Sequence, residues 1–300
     1  MESTIRKVTT DTLESAAHIE GAWHQRTALL LHGWPDDATT WNGITPALRS
    51  AGITTVAPWL RGCGQTRFLA SATLRDGRAE ALAADALDLM DALEITRFDV
   101  IGHDWGARAA YTLAAIAPER VQSVTAISLG YSPRGSFPVP PLHQSRAWWY
   151  QWFLSVDRGA QAFAADPKAF ARLQWDTWSP PGWFDDATFE AVARSFENPD
   201  WVAITLSSYR GRWREEVRDP RYDRLHQMVA ATERLNIPTL MIQGNADGTV
   251  LPESTEGQER FFTARYRRVL LDGVGHFPMR EAPTAVADVI LEHLQANLNA

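Results

Sequence analysis

Apolar runs and amphipathic stretches alternate along two parts of the chain. The run 27–31 is apolar after its first residue, as expected of a strand buried on both faces. The stretch 78–93 repeats leucine and alanine at three- and four-residue spacing, which predicts a helix. An antiparallel strand pair is predicted within 4–20. Further strands are predicted at 53–58, 121–129, 237–243 and 267–271, and one more begins at Phe98. Further helices are predicted at 41–50, 107–117 and 282–298. This order predicts an α/β fold with a mostly parallel sheet of eight strands flanked by helices.

The alternation stops near Tyr131. From 132 to about 220 no run has a strand pattern, and helical stretches are predicted at 144–172, 186–196 and 199–215. Eight of the 13 tryptophans lie between Trp148 and Trp213. We therefore predict a helical cap at 132–222, inserted between two parts of one core at 1–131 and 223–300.

Composition narrows the class of protein. Of the 300 residues, 45% are apolar and 22% are charged, as in an ordinary globular chain. A net charge of −7 without long charge runs argues against a nucleic-acid partner. The single Cys63 excludes an internal disulfide and favours a reducing compartment. The opening MESTIRKVTT lacks a signal-type apolar segment and no stretch has the length of a membrane span, so we expect a cytoplasmic protein that does not bind membranes.

The segment Gly102-His103-Asp104-Trp105-Gly106 joins an apolar run to a helix-forming stretch. A strand, a glycine-bracketed turn and a helix make a nucleophile elbow, in which the central residue is held above the sheet. Glycines are needed because Cβ atoms would clash in so sharp a turn. The usual occupant of the tip is serine. Here it is Asp104, which is ionised at neutral pH and attacks without prior deprotonation.

Two more polar residues follow predicted strands. Asp247 comes after the strand 237–243, and His276 comes after the strand 267–271. The order nucleophile, acid, histidine is that of the α/β-hydrolases, and the carboxyl ends of parallel strands meet at one edge of a sheet. We predict a triad of Asp104, Asp247 and His276.

These motifs resemble the α/β-hydrolase family over about residues 25–297. The GHDWG elbow and His32-Gly33-Trp34-Pro35 resemble the soluble epoxide hydrolases and the related haloalkane dehalogenases. The resemblance implies an alkyl ester on Asp104, hydrolysed by water that His276 activates with support from Asp247. Position assigns the oxyanion donors to the backbone N–H groups of Trp34 and Trp105.

Epoxide hydrolases and haloalkane dehalogenases differ in the leaving group of their reactions. An opening epoxide forms an alkoxide that needs acidic O–H donors, whereas a halide needs N–H donors. In epoxide hydrolases two cap tyrosines point at the nucleophile, and Tyr150-Gln151 and Tyr209-Arg210 resemble them. We therefore expect an epoxide hydrolase acting on a small apolar epoxide and water. The alternatives are a haloalkane dehalogenase and a ligand-binding protein with little turnover.

A haloacid substrate is a weaker alternative. Fluoroacetate dehalogenases resemble the chain at Arg108 but carry arginine where this chain has Trp105, so we expect a supporting contact from Arg108. We expect an apolar substrate pocket that includes Trp34, Trp105, Trp149 and Phe277. No cluster has metal-ligand spacing and no glycine loop has nucleotide-binding context, so we expect no metal and no cofactor. The oligomeric state is open, a homodimer included.

Overall fold

A computed structural model describes residues 4–22 and 26–297. The strands are β1 Thr4–Thr9, β2 Leu13–Glu20, β3 Thr27–Leu31, β4 Thr54–Pro58, β5 Arg67–Phe68, β6 Phe98–His103, β7 Val121–Ile127, β8 Thr239–Gly244 and β9 Tyr266–Leu271. They form one sheet in the order β1-β2-β4-β3-β6-β7-β8-β9, with β5 off this path. β2 is antiparallel to β1 and β4, and the pairs from β4 to β9 are parallel.

The sheet contains all eight predicted strands and one short addition. β5 has two residues and pairs with β2. Two residues are too few to show the period-2 pattern by which a strand is recognised, which explains why this strand was not predicted. All residues of β3, β4, β6 and β8 are buried, as expected when helices cover both faces of parallel strands.

The helices are α1 Thr45–Ser50, α2 Ala79–Ala92, α3 Trp105–Ile116, α4 Leu142–Ala147, α5 Trp149–Ser155, α6 Asp157–Ala165, α7 Pro167–Trp178, α8 Asp186–Ala193, α9 Trp201–Trp213, α10 Asp223–Ala231, α11 Pro278–Glu281 and α12 Pro283–Ala296.

Two separate apolar clusters cover the two faces of the sheet. Leu29 and Leu31 pack with residues of α2 and α3, whereas Ala28 and Leu30 pack with residues of α1 and α12. The alternation follows from the two-residue period of a strand.

Short helices fill the chain between β7 and β8. The predicted helical stretch 144–172 consists of α4 to α7, and three breaks separate these helices. Val156 has extended backbone before α6, and Asp166 caps the amino end of α7 by accepting from the Ala169 N–H. Both conformations interrupt a helix locally, so an apolar pattern alone gives no sign of them. The predicted stretch 199–215 is the single helix α9.

The helices have the length of elements in a globular domain. Among the described residues, no helix is both long enough and apolar enough to cross a bilayer.

Candidate active site

Asp104 occupies a sharp turn between β6 and α3. Its backbone has φ of 48° and ψ of −108°, a conformation that residues with side chains rarely adopt. A Cβ on Gly102 would lie 2.1 Å from the Gly106 carbonyl oxygen, and one on Gly106 would lie 2.0 Å from the Leu31 oxygen. Both positions therefore require glycine. The turn is the strand-turn-helix geometry expected of a nucleophile elbow.

His276 and Asp247 form a buried pair. His276 Nδ1 lies 2.9 Å from Asp247 Oδ2, and both side chains have no exposed surface. Asp247 Oδ1 accepts from the N–H groups of Thr249 and Val250 at 2.8 and 2.9 Å, which fixes the carboxylate. Since the carboxylate accepts only, Nδ1 carries the proton and Nε2 keeps its lone pair. His276 Nε2 is buried without a hydrogen-bond partner in the described part of the chain.

Nearby carboxylates control the charge of His276. Burial favours the neutral ring, but the charges of Asp247 and then Asp104 outweigh it and raise the pKa of His276. The neighbouring His103 behaves in the opposite way, because burial and the charge of His276 lower its pKa to about 3. His103 is therefore neutral at pH 7, and its Nε2 lies 2.8 Å from the His276 carbonyl oxygen, where it donates to that oxygen.

Asp104 is held on one side by the loop after β3. The Trp34 N–H donates to Asp104 Oδ1 at 3.1 Å. A Cβ on Gly33 would lie 2.6 Å from Asp104 Cβ, so this approach depends on glycine. Trp105, whose N–H is the other predicted oxyanion donor, is the first residue of α3 and directly follows Asp104. Oδ1 is thus engaged, whereas Oδ2 accepts no hydrogen bond from the described residues.

Tyr150 and Tyr209 come from α5 and α9 and meet near Asp104. Their ring centroids lie 5.3 Å apart with the planes at 88°, and both residues are almost fully buried. Burial and then the charge of Asp104 raise the pKa of Tyr150 to about 12. Burial, Tyr150 and Asp104 also raise the pKa of Tyr209. Both hydroxyls therefore keep their protons at neutral pH.

The hydrogen bonds to these hydroxyls leave their protons available. Trp105 Nε1 donates to the Tyr209 hydroxyl at 3.3 Å. Gln151 Nε2 donates to the Tyr150 hydroxyl at 3.2 Å, and the Thr249 hydroxyl lies 3.4 Å from it. Each phenol thus accepts from a neighbour and can donate its own proton elsewhere.

The four predicted pocket residues occupy different surroundings. Trp34 is enclosed by rings at centroid distances of 5.1 to 6.4 Å, those of Trp105, Tyr150, Phe170, Trp178, Trp201 and Tyr209. Trp149 is 39% exposed, and Phe277 is fully buried against Trp175, Trp178 and Trp183. Contact with substrate stays a prediction for all four residues.

A cavity of about 270 Å³ adjoins this site. Trp105 forms part of its wall, and Arg108, one helical turn after Asp104, lines it together with Arg212 of α9. From the sequence, Arg108 was expected to make only a supporting contact. Its spacing of four residues from Asp104 puts its side chain one helical turn away, which is consistent with its position in the cavity wall.

The residues that hold the His276 loop were not predicted from the sequence. The His276 N–H donates to Ser179 Oγ at 2.9 Å, and Ser179 Oγ donates to Glu281 Oε1 at 2.7 Å. Glu281 accepts further from the N–H groups of Phe277 and Gly275, at 2.8 and 2.6 Å. Ser179 follows α7, so the helical insertion contacts the loop that carries His276. A lone serine beyond a helix has no sequence signal for such a contact.

The described residues contain no group of three or more histidine, cysteine, aspartate or glutamate side chains arranged to hold a metal ion. The site is built from the carboxylates of Asp104 and Asp247, the imidazole of His276 and aromatic groups.

Comparison with known proteins places this geometry in a family. The profile of the family described as alpha/beta hydrolase fold matches residues 28–283. The chain belongs to the α/β-hydrolase family. A structure of a candidate epoxide hydrolase from Klebsiella pneumoniae is 38% identical, covers 96% of both chains and has a TM-score of 0.89. The predicted fold is thereby confirmed.

Curated relatives place the α/β-hydrolase more narrowly. Epoxide hydrolase A of Mycobacterium tuberculosis is 26% identical over 294 residues, which cover 89% of each chain. A fluoroacetate dehalogenase of a Burkholderia species is 27% identical over 187 residues, which cover 61% of each chain. With the Klebsiella structure, these similarities place the protein in the epoxide hydrolase-like branch and identify it as a hydrolase.

Proposed function

We propose that this α/β-hydrolase opens an apolar epoxide to a vicinal diol through an alkyl ester on Asp104. The observation that carries the proposal is the pair of buried phenols, Tyr150 and Tyr209, which lie near Asp104 with protons free to donate. An opening epoxide needs such donors because the alkoxide it forms is a stronger base than a phenolate. The helical segment 132–222, which supplies both tyrosines, is the proposed cap.

The first half-reaction alkylates the enzyme. Asp104 Oδ2 attacks an epoxide carbon, the carbon–oxygen bond of the ring breaks, and the departing oxygen takes a proton from Tyr209 or Tyr150. The Trp34 N–H on Oδ1 orients the carboxylate for this attack. The products are a hydroxyalkyl ester on Asp104 and a tyrosinate.

The second half-reaction hydrolyses the ester. His276 Nε2, which lacks a partner within the described residues, takes a proton from water as the water attacks the carbonyl carbon of the ester. The N–H groups of Trp34 and Trp105 stabilise the negative charge that develops on the carbonyl oxygen of the ester. Collapse releases the diol with a proton from His276. The restored Asp104 carboxylate releases the last proton, which returns the tyrosinate to a phenol.

A trapping experiment tests the covalent step. In a His276→Gln variant the ester forms but is not hydrolysed, so styrene oxide should raise the mass of the protein by the mass of one intact epoxide. Intact-mass spectrometry measures the increase. A matched His143→Gln variant, which changes an exposed histidine of the helical segment, should turn over the epoxide without accumulating an adduct. Absence of any adduct in His276→Gln would contradict the proposal and favour a binding protein.

One observation favours a second function, that of a haloalkane dehalogenase. Trp34 Nε1 is buried near Asp104 and has no hydrogen-bond partner among the described residues. A departing halide needs N–H donors of this kind, and Trp105 Nε1 supplies a second if it leaves Tyr209. In the trapping experiment a haloalkane would then raise the mass by the substrate minus HX, and styrene oxide would leave it unchanged.

A further inference from the structure

The cavity beside the active site, here named the Arg108 cavity, lies between the core and the helical insertion. Its wall comes from α2, α3, α9, α10 and the segment 130–137. Trp105 separates it from Asp104, because this side chain lines the cavity and also contacts Trp34 and Tyr209. Much of the remaining wall is apolar, including Leu82, Tyr111 and Val229.

Two guanidinium groups in this cavity have no carboxylate partner within residues 4–22 and 26–297. Arg108 makes no side-chain hydrogen bond or ion pair there, and its Nε is buried and unsatisfied. Arg212 reaches only neutral oxygens, those of Gln151 at 3.5 Å and Ser208 at 3.3 Å. Both guanidinium groups lie over the ring of Phe137, at 4.6 and 5.4 Å from its centroid. The two charges therefore converge on one region of the cavity.

The wall contains four further arginine, glutamate and histidine residues, of which Arg218 is exposed and forms no ion pair among the described residues, while the other three are paired. Arg78 donates to Asp76 at 2.6 Å, and Glu80 lies 2.8 Å from His226 Nδ1. None of these groups forms an ion pair with Arg108 or Arg212. Burial and the adjacent Arg212 lower the pKa of Arg108 to about 9, and the negative charge of Asp104 opposes this shift without outweighing it. Unpaired buried charge is unfavourable, and an anion placed between the two groups would relieve it.

We propose that the Arg108 cavity is an anion-binding subsite, and that the substrate is an apolar epoxide whose far end carries a carboxylate. A guanidinium group presents a planar fork of N–H donors that matches a carboxylate, and the apolar wall accommodates the body between the two ends. Trp105, at the boundary, would then contact the substrate between its carboxylate and its epoxide. The inference rests on the proposed epoxide opening at Asp104.

Binding of inert probes tests the subsite without chemistry. The probes 4-ethylbenzoate and 4-ethylbenzamide have nearly the same shape and differ in charge. Calorimetry should show that the wild-type protein binds the acid about tenfold more tightly or better, since a charge-assisted hydrogen bond contributes that much. Arg108→Met and Arg212→Met should each reduce this preference, and Arg108→Lys should retain part of it. Equal affinity for acid and amide, or a preference that survives Arg108→Met, would overturn the proposal.

A control variant separates the cavity from arginine in general. Arg172 also lies over a phenylalanine ring, Phe184 at 4.9 Å, but it is paired with Asp176 and Asp186 on the surface. Arg172→Met should keep the acid preference unchanged. Circular dichroism and thermal melting of the Arg108 and Arg212 variants establish that they fold. A fold lost in Arg108→Met leaves Arg212→Met and Arg108→Lys to decide the outcome.

Kinetics with matched epoxides extend the test to the reaction. Styrene oxide bearing a para-carboxylate should have a kcat/KM about tenfold or more above that of the para-carboxamide, mainly through KM. Arg108→Met should abolish the ratio. Opening of styrene oxide with no acid preference would refute the subsite and leave the proposed function intact. Arg108-dependent binding of 4-ethylbenzoate without opening of any epoxide would refute the function and leave the subsite intact.

Discussion

The two oxygens of Asp104 have different surroundings. Oδ1 accepts from the Trp34 N–H, whereas Oδ2 accepts no hydrogen bond from the described residues. A carboxylate fixed by one oxygen presents the other in a defined direction, which favours attack at a bound carbon. In the proposed mechanism, the same N–H lies where charge develops when water attacks the ester. One backbone group therefore has a role in both proposed half-reactions.

The proposed proton donors can be tested residue by residue. Tyr209→Phe and Tyr150→Phe should each slow formation of the alkyl ester by about 10²-fold, because one preorganised donor to the developing alkoxide is lost. The double variant should have no measurable epoxide opening. Rapid-quench measurement of ester formation from styrene oxide reads this step directly. Tyr266→Phe removes a buried hydroxyl far from the site and should have no effect. Full activity in the double variant would show that the tyrosines do not donate.

At the scale of elements, the parts of the site on regular strands were predictable and those on the insertion were less so. Asp104 and Asp247 follow the buried strands β6 and β8, and His276 follows β9, the partly exposed last strand of the sheet. Strand-like runs and the glycines near their ends locate all three residues in the sequence. The helical insertion contains short helices whose ends are set by local caps and by contacts with the core. The contact between Ser179 and Glu281 could therefore not be predicted from the sequence, because it joins segments 102 residues apart.

The contact between Ser179 and Glu281 gives the loop of His276 a testable support. Glu281→Gln replaces one accepting oxygen by an NH₂ group, so one of the N–H or O–H groups now bound loses its acceptor. Turnover should fall by up to about 10²-fold as His276 is displaced. The charge of Glu281 is also one of those that raise the pKa of His276, after Asp247 and Asp104 and against the effect of burial.

A pH profile separates this role from general destabilisation. His276 acts as a base only when neutral, so ester hydrolysis should be lost as pH falls through its pKa. Because Glu281→Gln lowers that pKa, the acidic limb should move to lower pH. Rapid-quench measurement of the decay of the ester in a single turnover of styrene oxide, with His276 intact, across pH 5 to 9 measures it. Glu253→Gln, on the exposed turn 252–255, is the control and should leave the limb in place. An unmoved limb in Glu281→Gln would contradict the electrostatic part of the argument.

At the scale of the molecule, the helical insertion and the core are joined by a buried charge network. Arg61, in the loop after β4, is fully buried and donates to both oxygens of Asp85 on α2 at 2.6 Å. It also donates to the Asp76 carbonyl oxygen and the Tyr222 hydroxyl, each at 2.8 Å. Tyr222 lies at the end of the insertion. Arg61 therefore connects helix α2, the segment before α2 and the end of the insertion. Loss of this contact would affect how the insertion sits above Asp104.

Removing Arg61 should therefore destabilise the whole fold. Arg61→Met leaves the Asp85 carboxylate buried without its partner, and we expect a loss of about 3–5 kcal/mol in the free energy of unfolding at pH 7. Burial already raises the pKa of Asp85 against the effect of Arg61, and the variant raises it further. Because a raised carboxyl pKa costs stability only where the group is charged, the loss should shrink as pH falls through that pKa. Urea unfolding at pH 5 and pH 8 measures both effects. Arg61→Met with Asp85→Leu removes both charges and should recover most of the loss, whereas equal instability of the single and double variants would show that packing, not the unpaired carboxylate, is responsible.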